Sequence, residues 1–176
     1  MKLFLAKLNL KNTSLFNLAL QDIPKYFNID VEETELEISV DNAFSADRSQ
    51  YYSTQIIANT IEASEKLDGK ILIITSYDIY VPALTYIFGE AQLNGKHSIV
   101  SVCRLHEEFY SGLTNENLLK ERTMKEIYHE LGHNFGLKHC SNWDCVMHSS
   151  PGIEEVDIKG KFYCKKCSNL LPLKKN

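Results

Sequence analysis

The stretch that decides the fold is residues 129–139, which read HELGHNFGLKH. Side chains four residues apart on a helix share one face about 6 Å from each other, so His129 and His133 can reach one metal ion. Gly136 adopts the left-handed conformation at little cost and can end the helix there. The chain can then turn and bring His139 to the same ion. The segment therefore predicts a helix, its end and a site of three histidines.

Three neutral imidazoles suit zinc and leave a fourth coordination position open, as catalytic zinc sites do. Glu130 lies about 100° around the helix from the first histidine, where it can face that position without binding the metal. A carboxylate there can serve as general base and acid. Leu131, Ile127 and Met124 point the other way and are expected to anchor the helix in the core. A bare HExxH string also occurs in helices without metal, and the extension to His139 favours zinc.

Four of the five cysteines lie in the last quarter of the chain, at Cys140, Cys145, Cys164 and Cys167. Two close pairs of thiolates predict a closed, structural zinc site. Two disulfides, or a redox pair at Cys164 and Cys167, are the alternatives, and the absence of secretion signals favours metal. Cys103 is expected to be an inert buried thiol in an apolar strand.

The residues before the motif alternate between strand-like and helix-like stretches. Strands are predicted at 2–9, 36–40, 70–75, 84–91 and 98–105, and helices at 15–26, 49–67 and from 114 or 115 to about 136. This order predicts an α/β fold with a largely parallel sheet and packed helices. Periodicity is lost after Gly136, so we predict an N-terminal α/β subdomain over 1–136 and a small irregular subdomain over 137–176.

The amino-acid composition argues against some classes of binding partner. A formal net charge of −4 and a pI near 5.9 argue against nucleic acid as the main partner. No segment approaches the roughly 20 apolar residues of a membrane span, and the N-terminus reads as a strand. We therefore expect a cytoplasmic protein without a membrane partner. Nothing in the sequence indicates an oligomer, so a monomer is expected.

The string HELGHNFGLKHC, followed by Cys145-Val146-Met147 and the Cys164–Cys167 pair, resembles the archaemetzincins. These are metzincin-type zinc metalloproteases with a second zinc site in the C-terminal subdomain. Residues 77–82 (YDIYVP) and 88–91 (FGEA) extend the resemblance over most of the chain.

The resemblance implies the role of each site residue. His129, His133 and His139 would bind the catalytic zinc, and Glu130 would be the general base and acid. The four clustered cysteines would bind a structural zinc, giving two zinc ions per chain. Met147 would occupy the Met-turn beneath the zinc ligands.

The family fold implies a twisted mixed sheet whose antiparallel edge strand borders the cleft. Leu84–Ala91 is our candidate for that strand, and Gly89 would mark a bulge or the close approach of substrate. An ordinary strand with a glycine turn is the alternative.

The predicted function is hydrolysis of peptide bonds in a peptide or protein substrate. Two other functions remain open from the sequence: a zinc amidohydrolase acting on a non-peptide amide, and a zinc-bound scaffold that binds peptides without turnover. Glu130 argues against the scaffold, since a binding module needs no base beside its metal.

Overall fold

The structure is a computed structural model that describes residues 1–174, so the last two residues of the predicted C-terminal subdomain lie outside it. The described chain contains the strands β1 Lys2–Leu8, β2 Asp30–Thr34, β3 Phe44–Ser45, β4 Gln50–Tyr52, β5 Lys70–Thr75, β6 Ile79–Tyr80, β7 Gly89–Ala91 and β8 His97–Ser101. Its α-helices are α1 Thr13–Tyr26, α2 Ser53–Ala63, α3 Glu108–Ser111, α4 Glu116–Asn134, α5 Ile153–Ile158 and α6 Lys165–Ser168.

The main sheet has five strands in the order β2-β1-β5-β8-β7. The first four are parallel to one another, and β7 pairs antiparallel with β8 at the edge. A small sheet of β3, β4 and β6 lies apart from it. The prediction of a mixed, mostly parallel α/β fold with packed helices is confirmed.

Both faces of the sheet are covered because the central strands are apolar on both sides. Alternate residues of a strand point to opposite faces. Leu3 and Leu5 therefore join one core cluster with α1 and α4, whereas Phe4 and Ala6 join another with α2. The helix α4, which carries the histidine motif, meets the edge strand β7 on the first of these faces.

The predicted strand at 36–40 is wrong, and the strand lies earlier, at β2. Leu36, Ile38 and Val40 do alternate and pack against the second core cluster, but no neighbouring strand pairs with them. The β2 strand carries acidic residues at the exposed edge, where Lys2 pairs with Glu32 at 2.6 Å. Pairing with β1 thus outweighs the low strand propensity of this stretch.

Three further boundaries differ from the sequence prediction. Only the last three residues of 84–91 form a strand, since the chain first makes a turn in which the Leu84 N–H donates to the Val81 carbonyl. The predicted strand at 98–105 ends at Ser101, and Cys103 lies half-buried in a 3₁₀ turn instead of a strand. The helix predicted over 49–67 spans only Ser53–Ala63, and it begins late because residues 50–52 form β4 and pair with β6.

The long helix α4 has the predicted start. The Asn115 side chain caps it by accepting a hydrogen bond from the Leu118 N–H at 3.1 Å. Met124, Ile127 and Leu131 are buried in the main core, as expected. Within residues 1–174 no helix combines the length and apolar character that a membrane crossing needs.

The C-terminal lobe shares its core with the sheet. Leu137, Val146, Met147, Val156 and Tyr163 belong to the same buried cluster as α1 and α4. The division at Gly136 stays a prediction. The consequence for the site is that residues of the lobe pack directly on the active-site helix.

Candidate active site and metal centres

The end of α4 is built as the sequence suggests. Gly136 has φ +90°, the left-handed region that favours glycine. Its N–H bonds to the His133 carbonyl, and the Leu137 N–H bonds to the Gly132 carbonyl, both at 2.9 Å. This is a Schellman motif, which reverses the chain direction within two residues. His139 follows three residues later, and its ring lies 5.2 Å from the His129 ring and 5.0 Å from the His133 ring.

The structure brings the three predicted histidines together. Their candidate ligand atoms lie within 4.8 Å of one another, and the Nε2 atoms of His129 and His133 are 3.1 Å apart. Two nitrogens bound at 2.0–2.1 Å to a tetrahedral ion would be about 3.3 Å apart. The arrangement of His129, His133 and His139 therefore fits one zinc ion.

Backbone carbonyls fix which nitrogen of each helical histidine faces the centre. The His129 Nδ1–H donates to the Val146 carbonyl at 2.8 Å, and the His133 Nδ1–H donates to the Leu137 carbonyl at 2.7 Å. The Nε2 atoms are left free to bind metal. Burial lowers the pKa of His129, His133 and His139, so that the neutral, metal-binding form is favoured.

Glu130 is 4% exposed and lies against the edge strand. A Cβ built on Gly89 would be 2.6 Å from its Oε1 atom, so the carboxylate occupies the space that a side chain on β7 would fill. Burial raises the pKa of Glu130 well above its ordinary value, and the negative charges of Glu126 and Glu90 raise it further. A bound dication would act in the opposite direction.

A cavity of about 420 Å³ connects these groups. The edge segment 84–91 and residues 149–151 line this cavity. The three imidazoles and Glu130, which lie on α4 and the turn after it, also line it.

Met147 packs beneath the active-site helix. It is fully buried, and its Sδ atom would clash with a Cβ on Gly132, so the helix needs a glycine there. The Met147 carbonyl accepts the Cys140 N–H at 2.9 Å, which ties this turn to the segment carrying His139. The position agrees with the Met-turn that the resemblance implied, and its role stays a prediction.

The four clustered cysteines form a second centre. Their sulfur atoms lie within 4.8 Å of one another, and the Sγ atoms of Cys140 and Cys164 are 4.0 Å apart. Sulfurs bound at about 2.3 Å to a tetrahedral zinc would be about 3.8 Å apart. The thiols of Cys145 and Cys167 complete the set, and none of the four forms a disulfide in the structure. The geometry fits one shared ion better than two disulfides.

Sequence reasoning missed the charged residues behind the histidines. Lys159, fully buried, places its Nζ atom 2.8 Å from Glu126 Oε1 and 3.4 Å from His129 Nδ1. Glu126 could have been found, because it precedes His129 by three residues and shares its helix face. Lys159 follows a helix in an irregular lobe, and no local pattern points to it.

Comparison with known proteins gives consistent matches. The sequence model of peptidase family M54 matches residues 20–173. The archaemetzincin of Haloquadratum walsbyi is 40% identical over 150 residues, 82% of this chain and 84% of the relative. That of Methanocaldococcus jannaschii is 42% identical over 125 residues, 71% of this chain and 68% of the relative. The crystal structure of archaemetzincin from Archaeoglobus fulgidus, complexed with malonate, superposes with a TM-score of 0.82 at 33% identity, covering 97% of this chain and 100% of that chain.

Together with the fold and the two clusters, these matches define a zinc metallopeptidase. The chain belongs to peptidase family M54, the archaemetzincins. The resemblance drawn from residues 129–147 and the cysteine spacing is thereby confirmed.

Proposed function

We propose that this chain hydrolyses peptide bonds with Glu130 as general base and acid beside a catalytic zinc ion held by His129, His133 and His139. The observation that carries the proposal is the position of the Glu130 carboxylate, buried in the same cavity as the three imidazoles and against the edge strand. A structural zinc on the four cysteines is the second part of the proposal.

A bound zinc ion supplies Lewis acidity, which acidifies water and polarises a carbonyl oxygen. Glu130 takes a proton from the attacking water as its oxygen bonds to the scissile carbon. When the C–N bond breaks, Glu130 returns that proton to the leaving amine, so that one carboxylate serves both steps. Its burial suits this role, because a raised pKa brings a carboxyl group closer to neutral pH.

The open edge of β7 supports binding of an extended peptide. Phe88 and Gln92 bond to β8, through the Ser101 N–H to the Phe88 carbonyl and the Gln92 N–H to the His97 carbonyl. In an antiparallel pair, the N–H and C=O groups of successive residues point alternately toward the neighbouring strand and away from it. The backbone N–H and C=O groups of Gly89 and Ala91 therefore face away from β8. A substrate can add there as a further strand, which would make Gly89 a substrate-binding residue.

The test is cleavage of a diverse peptide mixture, followed by mass spectrometry, with zinc-replete protein and Glu130→Gln as the control. We expect cuts that disappear in Glu130→Gln while the zinc content stays at two per chain by elemental analysis. Equal cutting by the two proteins would show that Glu130 is not the base. No cutting by wild-type protein carrying two zinc ions would contradict the peptidase proposal.

A further inference from the structure

Lys159 is a fully buried cation directly behind one of the predicted zinc ligands. Its Nζ atom lies 3.4 Å from His129 Nδ1 and 2.8 Å from Glu126 Oε1. Lysine is almost never fully buried in a folded protein unless an opposite charge pairs with it. Lys159 is not among the described residues that line the active-site cavity, so it can act on the reaction only through the groups that it contacts.

The contact between Lys159 and the His129 ring is one of packing and charge, not a hydrogen bond. In the tautomer that binds metal through Nε2, the Nδ1–H of His129 is donated to the Val146 carbonyl at 2.8 Å, and an ammonium group has only donors to offer. Glu126 therefore has to hold the ammonium in place. Because Nδ1 and Nε2 lie on different sides of the imidazole, the ammonium fills the space behind the ring and leaves its metal-facing side free.

The backbone that carries Lys159 is fixed on both sides. Its own N–H donates to the Glu155 carbonyl at 3.0 Å, and the Gly160 N–H donates to the Trp143 carbonyl at 2.8 Å. A Cβ on Gly160 would clash with the backbone of Asp144, so these two segments of the C-terminal lobe are in close contact. The lysine side chain therefore starts from a fixed point in the lobe.

A second buried lysine joins α4 to the same lobe in a different way. Lys125 is 3% exposed, and its Nζ atom donates to the carbonyls of Val156 and Asp157 at 3.0 and 2.9 Å. It also forms an ion pair with Glu121 at 3.0 Å. These contacts go to backbone carbonyls and a glutamate, whereas the Lys159 ammonium lies against a predicted zinc ligand. The lysine that attaches the lobe is therefore separate from the lysine behind the histidines.

We propose that Lys159 is a positioning residue for the catalytic zinc site: its ammonium, held by Glu126, keeps the His129 ring in the orientation that binds metal. The inference rests on the proposed zinc ion at the three histidines and adds a residue that controls its binding. The hydrogen bond to Val146 alone still lets the ring move back from the metal, and the ammonium occupies the space into which it would move. Loss of an outer contact of a ligating histidine typically costs about 10- to 100-fold in metal affinity.

The experiment measures zinc affinity at the histidine site by competition with a chelator, in protein whose cysteine cluster keeps its zinc. The test variant is Glu126→Gln/Lys159→Met, which removes both charges and so leaves neither of them unpaired in the interior. We expect its dissociation constant for zinc at the histidines to rise about tenfold or more. The matched control is Glu121→Gln/Lys125→Met, which also removes a buried lysine and its glutamate partner from α4. Its dissociation constant should stay within about threefold of wild type.

Cobalt gives a readout that a loss of stability alone would not change. Protein with zinc on the cysteines and Co²⁺ on the histidines should absorb visible light through d–d transitions, which respond to the geometry of the ligands. We expect the spectrum of Glu126→Gln/Lys159→Met to differ from that of wild type in band position or intensity. The spectrum of the control variant should coincide with that of wild type.

A second variant covers the case in which the first fails to fold, which circular dichroism would reveal. Glu126→Gln/Lys159→Gln replaces the ion pair by two amides that can hydrogen-bond to each other. Glutamine is shorter than lysine, so it leaves the space behind the His129 ring unfilled. This variant should weaken zinc binding at the histidines in the same way.

Two results would overturn the inference and leave the peptidase proposal standing. One is a zinc affinity and a cobalt spectrum of the test variant equal to those of wild type. The other is an equal loss of affinity in the control variant, because the effect would then come from attachment of the lobe and not from the contact with His129. Wild-type protein that binds no metal at the histidines would instead contradict the proposed zinc site itself.

Discussion

The contact between Gly89 and Glu130 makes the strongest prediction about catalysis. An alanine Cβ at position 89 would lie 2.6 Å from Glu130 Oε1, 2.7 Å from Cγ and 2.9 Å from Cδ, whereas ordinary contacts begin near 3.4 Å. The carboxylate would have to retreat by about 0.8 Å, the difference between 3.4 and 2.6 Å. Gly89 does not have a positive φ, so alanine fits the backbone and the effect is steric.

The size of the effect follows from the role of the base. General base catalysis contributes about 10²- to 10⁴-fold, and a displacement of about 1 Å can cost about 10²-fold. We expect Gly89→Ala to lower kcat about 100-fold, which corresponds to about 2.7 kcal/mol in the activation barrier. Zinc content should not change, because the three atoms nearest to the added methyl group all belong to Glu130.

Steady-state kinetics on a single fluorogenic peptide would measure this loss, and a double-mutant cycle identifies its cause. If Gly89→Ala acts through Glu130, it should have little further effect in a Glu130→Gln background. A kcat within threefold of wild type would refute the reasoning. An equal loss of kcat in the wild-type and Glu130→Gln backgrounds would also refute it, because the substitution would then act on peptide binding at the edge strand.

Three other predictions concern stability and metal content. Burial lowers the pKa of His97 to about 4, below the unfolded value near 6.5, so the unfolded state takes up this proton first. The free energy of unfolding should therefore fall by up to about 3 kcal/mol as the pH is lowered from 6.5 to 4. Urea titrations of the His97→Gln variant over the same pH range should not show this decrease. Arg122→Ala should cost about 3 kcal/mol in urea unfolding, because it removes the bidentate pair with Asp157 at 2.7 Å between α4 and the C-terminal lobe. Cys164→Ser/Cys167→Ser should reduce zinc from two ions to one in native mass spectrometry and lower Tm by more than about 10 °C.

The predictions for the cysteine cluster and for Arg122 each have a control variant. Cys103→Ser removes the one cysteine outside the cluster and should leave both zinc ions in place. Glu121→Ala changes an exposed residue next to Arg122 and should alter stability by less than about 1 kcal/mol. An unchanged pH dependence in His97→Gln, or a double cysteine variant that still carries two zinc ions, would contradict the corresponding prediction.

The active-site helix could be predicted from the sequence because its determinants are local. The four-residue spacing of His129 and His133 fixes their shared face, and Gly136 fixes the end of the helix. The second cluster was predictable for the same reason, since the close pairs of cysteines lie in short segments. Neither prediction needed knowledge of the distant parts of the sheet.

The sequence-based predictions fail where the structure of a segment depends on contacts with residues far away in the chain. Residues 36–40 alternate as a strand does but have no neighbour to pair with, whereas the acidic stretch at 30–34 becomes a strand because β1 offers an open edge. The ion pair of Glu126 and Lys159 joins residues 33 positions apart, and only the packed lobe brings them together. Local periodicity carries no information about such contacts.

The two proposed metal sites lie on adjoining stretches of backbone. His139 and Cys140 are adjacent residues, and the carbonyl that orients His129 belongs to Val146, directly after Cys145. A zinc ion on the cysteine cluster would therefore also help to hold two of the three histidines in position, and thermodynamic linkage requires the reverse effect to be equal. We expect the two ions to bind cooperatively. Activity should then fall steeply over a narrow range of zinc concentration and not in proportion to the zinc concentration. The protein would then behave as a switch set by metal availability.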